Sequence, residues 1–262
     1  MDYLGGKNRM YFSFVKNLFR NKRENKEKYK YIFDEILEEG IDDYGEDSYG
    51  TQIDYMTIYR DMKKAMGLDD VKIDFKLYQF SPGTLLFKEN KENKYELEIC
   101  VLMTCDSQLQ CYKGSLAHEL WHVKTGLELI REIGIDEFVK LQREYDFEKS
   151  LAFKTLSEYY SWYKAISEYN DRKCSLTLKR RIHDYKNKTI NEIELCDTIA
   201  AHCAWKEAHK TENIADNLTE EEKLFVERIM QIIKENSTCW PISLEGFKNI
   251  GKDMSQAFMG IK

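Results

Sequence analysis

The sequence predicts an α+β protein in which a small, mainly antiparallel sheet precedes a series of helices. Three observations support this class. Residues 71–103 alternate apolar with polar side chains, as half-buried strands do. From residue 127 to the C-terminus, apolar residues recur at helical spacing. Only 2 prolines occur among the 262 residues, so strong helix breakers are rare.

Before the sheet, the pattern predicts two helical segments. Residues 8–39 carry a helical pattern that ends at Gly40, and the acidic, glycine-bearing stretch 42–50 is typical of a loop. A second helical rhythm begins at Ile53 and stops at Gly67. We therefore expect the sheet to begin after residue 67.

The sheet is predicted to contain three strands. Their ranges are 71–77, 84–87 and 95–103, with a turn at 81–83 and an exposed connection at 88–94. Ser115 is the expected N-cap of the next helix, and Gly126 is its expected end. The helices expected after it are 127–133, 135–170, 175–187, 190–210 and 219–235.

Composition excludes several classes of function. The 40 basic and 46 acidic side chains leave no positive field that would collect nucleic acid. No run of about 18 uncharged apolar residues is present, so we expect no membrane span. The 7 cysteines are odd in number and scattered, which is typical of reduced thiols in a cytoplasmic protein.

The most informative motif is His118-Glu119-Leu120-Trp121-His122, an H-E-x-x-H sequence on a predicted helix. Histidines four apart on a helix lie on one face, so both imidazoles can reach a single ion. A Zn²⁺ ion bound in this way lowers the pKa of its water to about 7. Glu119 can then accept the water proton as a general base.

The motif needs a third protein ligand from elsewhere, because no His or Asp follows His122 at the spacing of metzincins. The best candidate is Glu158, which shares one helix face with the small residues Ser161 and Ala165. Small residues let two helices approach closely, as a shared ion requires. The other carboxylates considered lie in more highly charged surroundings: Glu144, Glu148 and Glu168.

A sheet followed by this motif and a later Glu resembles a gluzincin-type zincin metallopeptidase, most closely the ImmA/IrrE family, over residues 70–170. The resemblance implies a zincin-like fold and a cytosolic zinc peptidase that cuts a protein, such as a transcriptional repressor or another regulator. Carried over by position, His118, His122 and Glu158 are the metal ligands and Glu119 is the catalytic carboxylate. Two departures stand out, because that family usually has Gly at Trp121 and an Ala-Asp pair at Ser161-Trp162.

On this basis we expect a catalytic core in residues 51–175, an N-terminal helical region in 1–50 and a C-terminal helical region in 176–262. All three regions can pack as one compact domain. The expected partner is a protein or peptide substrate lying along an edge strand of the sheet, with no nucleic acid and no membrane. The oligomeric state is not predicted.

Two alternatives remain open from the sequence. The chain can be a regulatory or interaction protein that retains a zincin frame without peptidase activity, or a metal hydrolase acting on a non-peptide amide. The residue that stabilises the oxyanion is not singled out among Tyr159, Tyr160, Tyr163 and His183. Trp162, Ile166 and Tyr169 are interpreted as core residues.

Overall fold

Among the described residues, five short strands and one helix precede an unbroken series of helices. The computed structural model describes residues 44–46, 52–78, 84–89, 97–104, 109–169, 178–209 and 218–261. The strands are β1 (Tyr44–Glu46), β2 (Gln52–Asp54), β3 (Ile73–Tyr78), β4 (Thr84–Glu89) and β5 (Leu97–Thr104). The helix-rich α+β class with a small sheet is confirmed. The predicted helix 8–39 and the turn 81–83 lie outside the described residues.

The described helices follow the predicted order, with differences in length and number. They are α1 (Tyr55–Ala65), α2 (Leu109–Ile133), α3 (Ile135–Gln142), α4 (Phe147–Tyr169), α5 (Leu178–Lys186), α6 (Glu192–Ala208), α7 (Glu220–Asn236) and α8 (Leu244–Phe258). α1 confirms the predicted helical segment before Gly67. The Asp54 carboxylate caps its N-terminus by accepting the backbone N–H of Thr57 at 2.9 Å. The final helix, α8, was not predicted.

The larger sheet has the strand order β3-β5-β4, with β5 in the centre. The prediction of a mainly antiparallel sheet is wrong, because β3 pairs with β5 in parallel and only β4 pairs with it antiparallel. Alternation of side chains shows which face a strand buries, but it does not select the neighbouring strand. The continuous apolar run 99–103 is the signal for a central strand, and Ile99, Cys100 and Val101 are all buried.

The predicted loop at 42–50 is also corrected in part. β1 and β2 form a separate antiparallel pair in which Gly45 lies opposite Ile53. β2 leads directly into α1. A three-residue strand in an acidic stretch has no periodicity long enough to be recognised in sequence, so its pairing depends on the partner strand.

The helix that carries the motif is one continuous element of 25 residues. Ser115 is therefore not its N-cap and Gly126 is not its end. Tyr112, one turn before the expected start, is buried against the Tyr55 ring at 4.7 Å between centroids. Leu129 is fully buried beyond Gly126. Tertiary packing at both ends thus extends the helix through glycines that would otherwise favour its termination.

The predicted single helix 135–170 is divided into α3 and α4. Glu144 has a φ of +59°, in the left-handed region where a helix cannot continue. α4 then starts anew, and Asp146 accepts the backbone N–H of Lys149 at 3.3 Å. The break turns α4 back across α2, which brings its middle turns to the motif.

α6 begins with a reciprocal capping box between Asn191 and Glu194. We expect Asn191→Ala to lower the free energy of unfolding by about 1 kcal/mol, because the Glu194 N–H would lose its acceptor. Urea unfolding monitored by circular dichroism measures this change. Asn191→Asp is the matched control and should stay within a few tenths of a kcal/mol of the wild type. Equal stability of the Ala and Asp variants would contradict the prediction.

Two hydrophobic clusters form the interior, and α2 and α4 contribute to both. The first cluster joins β3, β5, α1 and the first part of α2, including Leu116 and Leu120. The second cluster joins the later helices, including Leu129 of α2 and Leu156 of α4. Ala165, near the end of α4, belongs to the first cluster. The crossing of α2 and α4 therefore lies at the border of the two clusters.

All described residues belong to one compact unit that spans residues 42–262. The predicted region boundaries at residues 50 and 175 both fall outside the described residues. Among the helices described, none is both long enough and apolar enough to cross a bilayer.

Candidate metal centre

The H-E-x-x-H motif lies in the middle of α2, where the helix is anchored on its apolar face. Leu116, Leu120 and Val123 are fully buried and fix the rotation of the helix. The same rotation directs His118 and His122 to the adjoining face. The side chain of His118 is only 9% exposed, whereas that of His122 retains 16% exposure. The pair therefore lies at the edge of the interior, with His122 slightly more exposed than His118.

α4 packs against this face and brings Glu158 to the two histidines. Glu158 Oε2 lies 3.0 Å from His122 Nε2, and Glu158 Oε1 lies 3.6 Å from His118 Nε2. The two Nε2 atoms are 3.1 Å apart. The small residues Ser161 and Ala165 are completely buried, in keeping with a close approach of the helices. The three residues singled out by spacing thus meet at one point.

The separations among these atoms fit a single small cation. Two ligand atoms that each lie about 2.0–2.1 Å from a tetrahedral zinc are about 3.3 Å apart. The separations of His122 Nε2 from Glu158 Oε2 and from His118 Nε2, 3.0 and 3.1 Å, lie slightly below that value. His118 Nε2 lies 3.6 Å from the other carboxylate oxygen, Oε1. Two imidazoles and one carboxylate are also the donor set of many catalytic zinc sites, which leave the fourth position to water. His118, His122 and Glu158 can therefore hold a zinc ion without rearrangement of the helices.

Ser157 contacts His122 at the ring nitrogen that does not face Glu158. Its Oγ lies 2.9 Å from His122 Nδ1, and it accepts the Nδ1–H in the tautomer that leaves Nε2 free to bind a metal. His118 has no such support, since its Nδ1 is buried and has no hydrogen-bond partner among the described residues. The two imidazoles are therefore held by different kinds of contact.

Trp162 contacts the two remaining members of the cluster. Its Nε1–H donates to Glu158 Oε1 at 2.8 Å, and its ring stacks on His118 with centroids 4.1 Å apart. The interpretation of Trp162 as a core residue is therefore incomplete. Ile166 is buried in the second hydrophobic cluster, and Tyr169 packs against the first. The position of Trp162, four residues after Glu158, is the sequence signal that a contact was possible.

The charges of the cluster are strongly interdependent. Burial lowers the pKa of His118 to about 3, despite the opposing charge of Glu158, so its imidazole is neutral as a ligand must be. Burial also lowers the pKa of His122, but the hydrogen bond and charge of Glu158 raise it above the ordinary value. Burial raises the pKa of Glu158, yet the two histidines and the Trp162 N–H together hold it below its usual range. Glu158 is accordingly an anion.

Glu119 lies beside this cluster and is 7% exposed. Burial raises the pKa of its carboxyl to about 7, against the opposing effect of His122 and with a further increase from the Glu158 charge. A carboxyl that titrates near neutrality can both accept and return a proton. Glu119 therefore has the electrostatic character of a general acid and base.

Asp197 of α6 is a further acid close to the cluster that sequence reasoning missed. Burial and the negative charge of Glu158 raise its pKa well above the usual range. Its Oδ1 is buried and has no hydrogen-bond partner among the described residues. No spacing rule connects Asp197 to the motif, because the contact of α6 with α4 alone brings it near.

The other residues weighed from sequence have contacts elsewhere. Tyr159 donates its hydroxyl to Glu207 at 3.0 Å, and Tyr160 donates to the Ser237 carbonyl. His183 bonds the Asn187 side chain, and Tyr163 stacks with Tyr159. Of the alternative acids, Glu144 pairs with Lys154, Glu168 accepts the Trp121 N–H, and the backbone of Glu148 packs beside Gly251 of α8. No described contact brings any of them to the paired histidines.

Comparison with protein-family models, with curated proteins and with solved structures finds no match to this chain. The functional argument therefore rests on the geometry and chemistry of the cluster.

Proposed function

We propose that the protein is a zinc-dependent metallopeptidase of the gluzincin type, with His118, His122 and Glu158 as ligands and Glu119 as the general base. One observation carries the proposal, which is the convergence of two imidazole nitrogens and one carboxylate at separations of 3.0–3.6 Å. The likeness of the motif to the ImmA/IrrE family adds to it. A zincin-like core follows from the same proposal.

Access to the cluster supports a catalytic rather than a structural ion. Structural zinc sites are closed by four protein ligands, whereas catalytic sites have three and an open position. The group among the described residues that could hold an ion has three members, His118, His122 and Glu158. The side chain of Glu158 keeps 24% of its surface exposed, so one side of the cluster faces solvent. A substrate can reach the ion from that side.

In the proposed hydrolysis, zinc, Glu119 and Ser157 have different roles. When bound, zinc supplies a water of pKa about 7 and a Lewis acid that polarises a carbonyl group. Glu119 accepts a proton on its carboxylate and delivers it to the leaving nitrogen of the peptide bond. Ser157 keeps His122 in the tautomer that ligates through Nε2. Uptake of the proton needs Glu119 as a carboxylate, and delivery needs the carboxylic acid that this uptake forms. An amide in its place could do neither.

The proposed substrate is an extended segment of a protein, such as a repressor or another regulator. β4 lies at one edge of the three-stranded sheet and pairs only with β5 among the described strands. An extended peptide can add alongside such an edge through backbone hydrogen bonds. We therefore expect specificity to depend on alternate side chains of the bound segment.

The proposal is tested with the variant Glu119→Gln. We expect it to bind one zinc per chain and to lose at least about a hundredfold in the rate of peptide hydrolysis, because the amide cannot accept a proton. Metal content is measured by elemental analysis, and hydrolysis with a mixed library of internally quenched peptides. The control is Glu168→Gln, which alters a carboxylate on α4 that bonds Trp121 and should retain activity.

Chelation followed by readdition of zinc completes this test. We expect hydrolysis by the wild type to disappear and return with the metal. Equal rates for Glu119→Gln and the wild type would contradict the peptidase assignment. Stoichiometric zinc with no hydrolysis of any peptide would favour the regulatory protein with a zincin frame.

A further inference from the structure

The side chain of Trp162 has a role that neither the H-E-x-x-H motif nor the ligand spacing assigns. It lies on α4 one turn after Glu158 and is half-buried. Its N–H and its ring are engaged with two different members of the ligand cluster, Glu158 and His118. A single side chain therefore connects the carboxylate of one helix with an imidazole of the other.

We propose that Trp162 is a positioning residue that orients Glu158 and His118 for the metal; this inference rests on the metal binding included in the proposed function. The indole N–H holds Oε1 of Glu158 at 2.8 Å. The other oxygen, Oε2, then lies 3.0 Å from His122 Nε2. A carboxylate restrained in this way presents one oxygen to the ion, because the second oxygen is already engaged with a donor. The coordination number of the ion is thereby kept low.

The stacking contact acts on the second ligand. The Nδ1 of His118 has no hydrogen-bond partner among the described residues, so the ring is not held at that nitrogen as the ring of His122 is held by Ser157. The indole ring covers one face of this imidazole at an interplanar angle of 28°. Aromatic packing of this kind favours one orientation of the ring. Trp162 thus restrains the ring of His118 by packing, whereas Ser157 holds the ring of His122 through a hydrogen bond.

The variant Trp162→Phe tests the hydrogen bond separately from the stacking, since it removes the N–H and keeps a ring. We expect its zinc dissociation constant, measured by competition with a chromophoric chelator, to rise by roughly 10–100-fold, as for other outer-shell partners of metal ligands. Trp162→Leu removes the stacking as well and should bind zinc more weakly still. If Trp162→Phe does not fold, Trp162→Leu is compared with the control instead.

The control is Trp205→Phe, which changes a half-buried tryptophan of α6 that stacks on His209, away from the cluster. A purely structural role for Trp162 would give both Phe variants the same zinc affinity. We also expect the visible absorption of bound Co²⁺ to weaken in Trp162→Phe but not in Trp205→Phe, because a released carboxylate can bind with both oxygens and raise the coordination number.

The results separate this inference from the proposed function. Metal affinity is read without any hydrolysis assay, so an inactive protein that binds zinc still tests Trp162. Zinc affinity of Trp162→Phe within twofold of the wild type, or an unchanged cobalt spectrum, would overturn the inference alone. Failure of the wild type to bind either metal would overturn both proposals.

Discussion

We expect His122→Ala to lose stoichiometric zinc binding and, with it, hydrolysis. The His122 Nε2 atom lies 3.1 Å from His118 Nε2 and 3.0 Å from Glu158 Oε2, so its removal leaves one imidazole and one carboxylate. Zinc bound by four protein ligands has an apparent binding free energy of about 10–16 kcal/mol, or roughly 2.5–4 kcal/mol for each ligand. The affinity should therefore fall by roughly a hundredfold to a thousandfold.

Two measurements check this expectation. Chelator competition gives the zinc dissociation constant, and thermal unfolding with and without zinc gives the stabilisation that binding confers. Zinc should raise the melting temperature of the wild type and leave that of His122→Ala unchanged. The control is His183→Ala, an exposed histidine of α5 that bonds Asn187 and should keep wild-type affinity. Zinc binding by His122→Ala at wild-type affinity would contradict the prediction and show that zinc binds at another site in the protein.

The largest effect on stability is expected for Gly251→Ala. Gly251 lies in α8 where that helix packs against the first turn of α4. A Cβ atom at this position would lie 1.9 Å from the backbone oxygen of Glu148 and 2.4 Å from its carbonyl carbon. Backbone atoms of a helix cannot turn aside as a side chain can, so the two helices must separate. We expect a loss of about 3 kcal/mol or more in the free energy of unfolding.

Urea unfolding monitored by circular dichroism measures this loss. The matched control is Gly260→Ala, three residues beyond Ala257, where the nearest atom to a new Cβ is 3.7 Å away. Removing a glycine there should be neutral or slightly stabilising, because it restricts only the unfolded chain. Equal stabilities of the two variants would show that α8 and α4 can separate without cost.

Local patterns account for the parts of the fold that the sequence predicted. α1 and α7 were recognised because apolar residues recur at helical spacing. The structure adds a capping side chain at each start, Asp54 for α1 and Thr219 for α7. β3 was recognised because Phe75 and Leu77 alternate with charged residues. Each of these signals lies within about four residues along the chain, so no knowledge of distant partners is needed.

Local spacing also predicted the three candidate metal ligands, but it did not predict the other contacts of the site. The spacing of His118 and His122 is local, and the helix geometry places both rings on one face. Glu158 was reached through the small residues that follow it, Ser161 and Ala165, which indicated a close helix contact. The contacts of Trp162 and Asp197 were not reached, because each depends on how α4 meets α2 and α6.

By itself, then, the sequence determined the helix-rich α+β class, the helix that carries the motif and the acid that faces it. Only the tertiary structure decided the parallel pairing of β3 with β5, the continuation of α2 through Gly126, and the close packing of α8 at Gly251. The physical reason is the range of the interactions. Helical spacing and caps act within a turn, whereas strand order and helix packing depend on surfaces contributed by residues far apart in the chain.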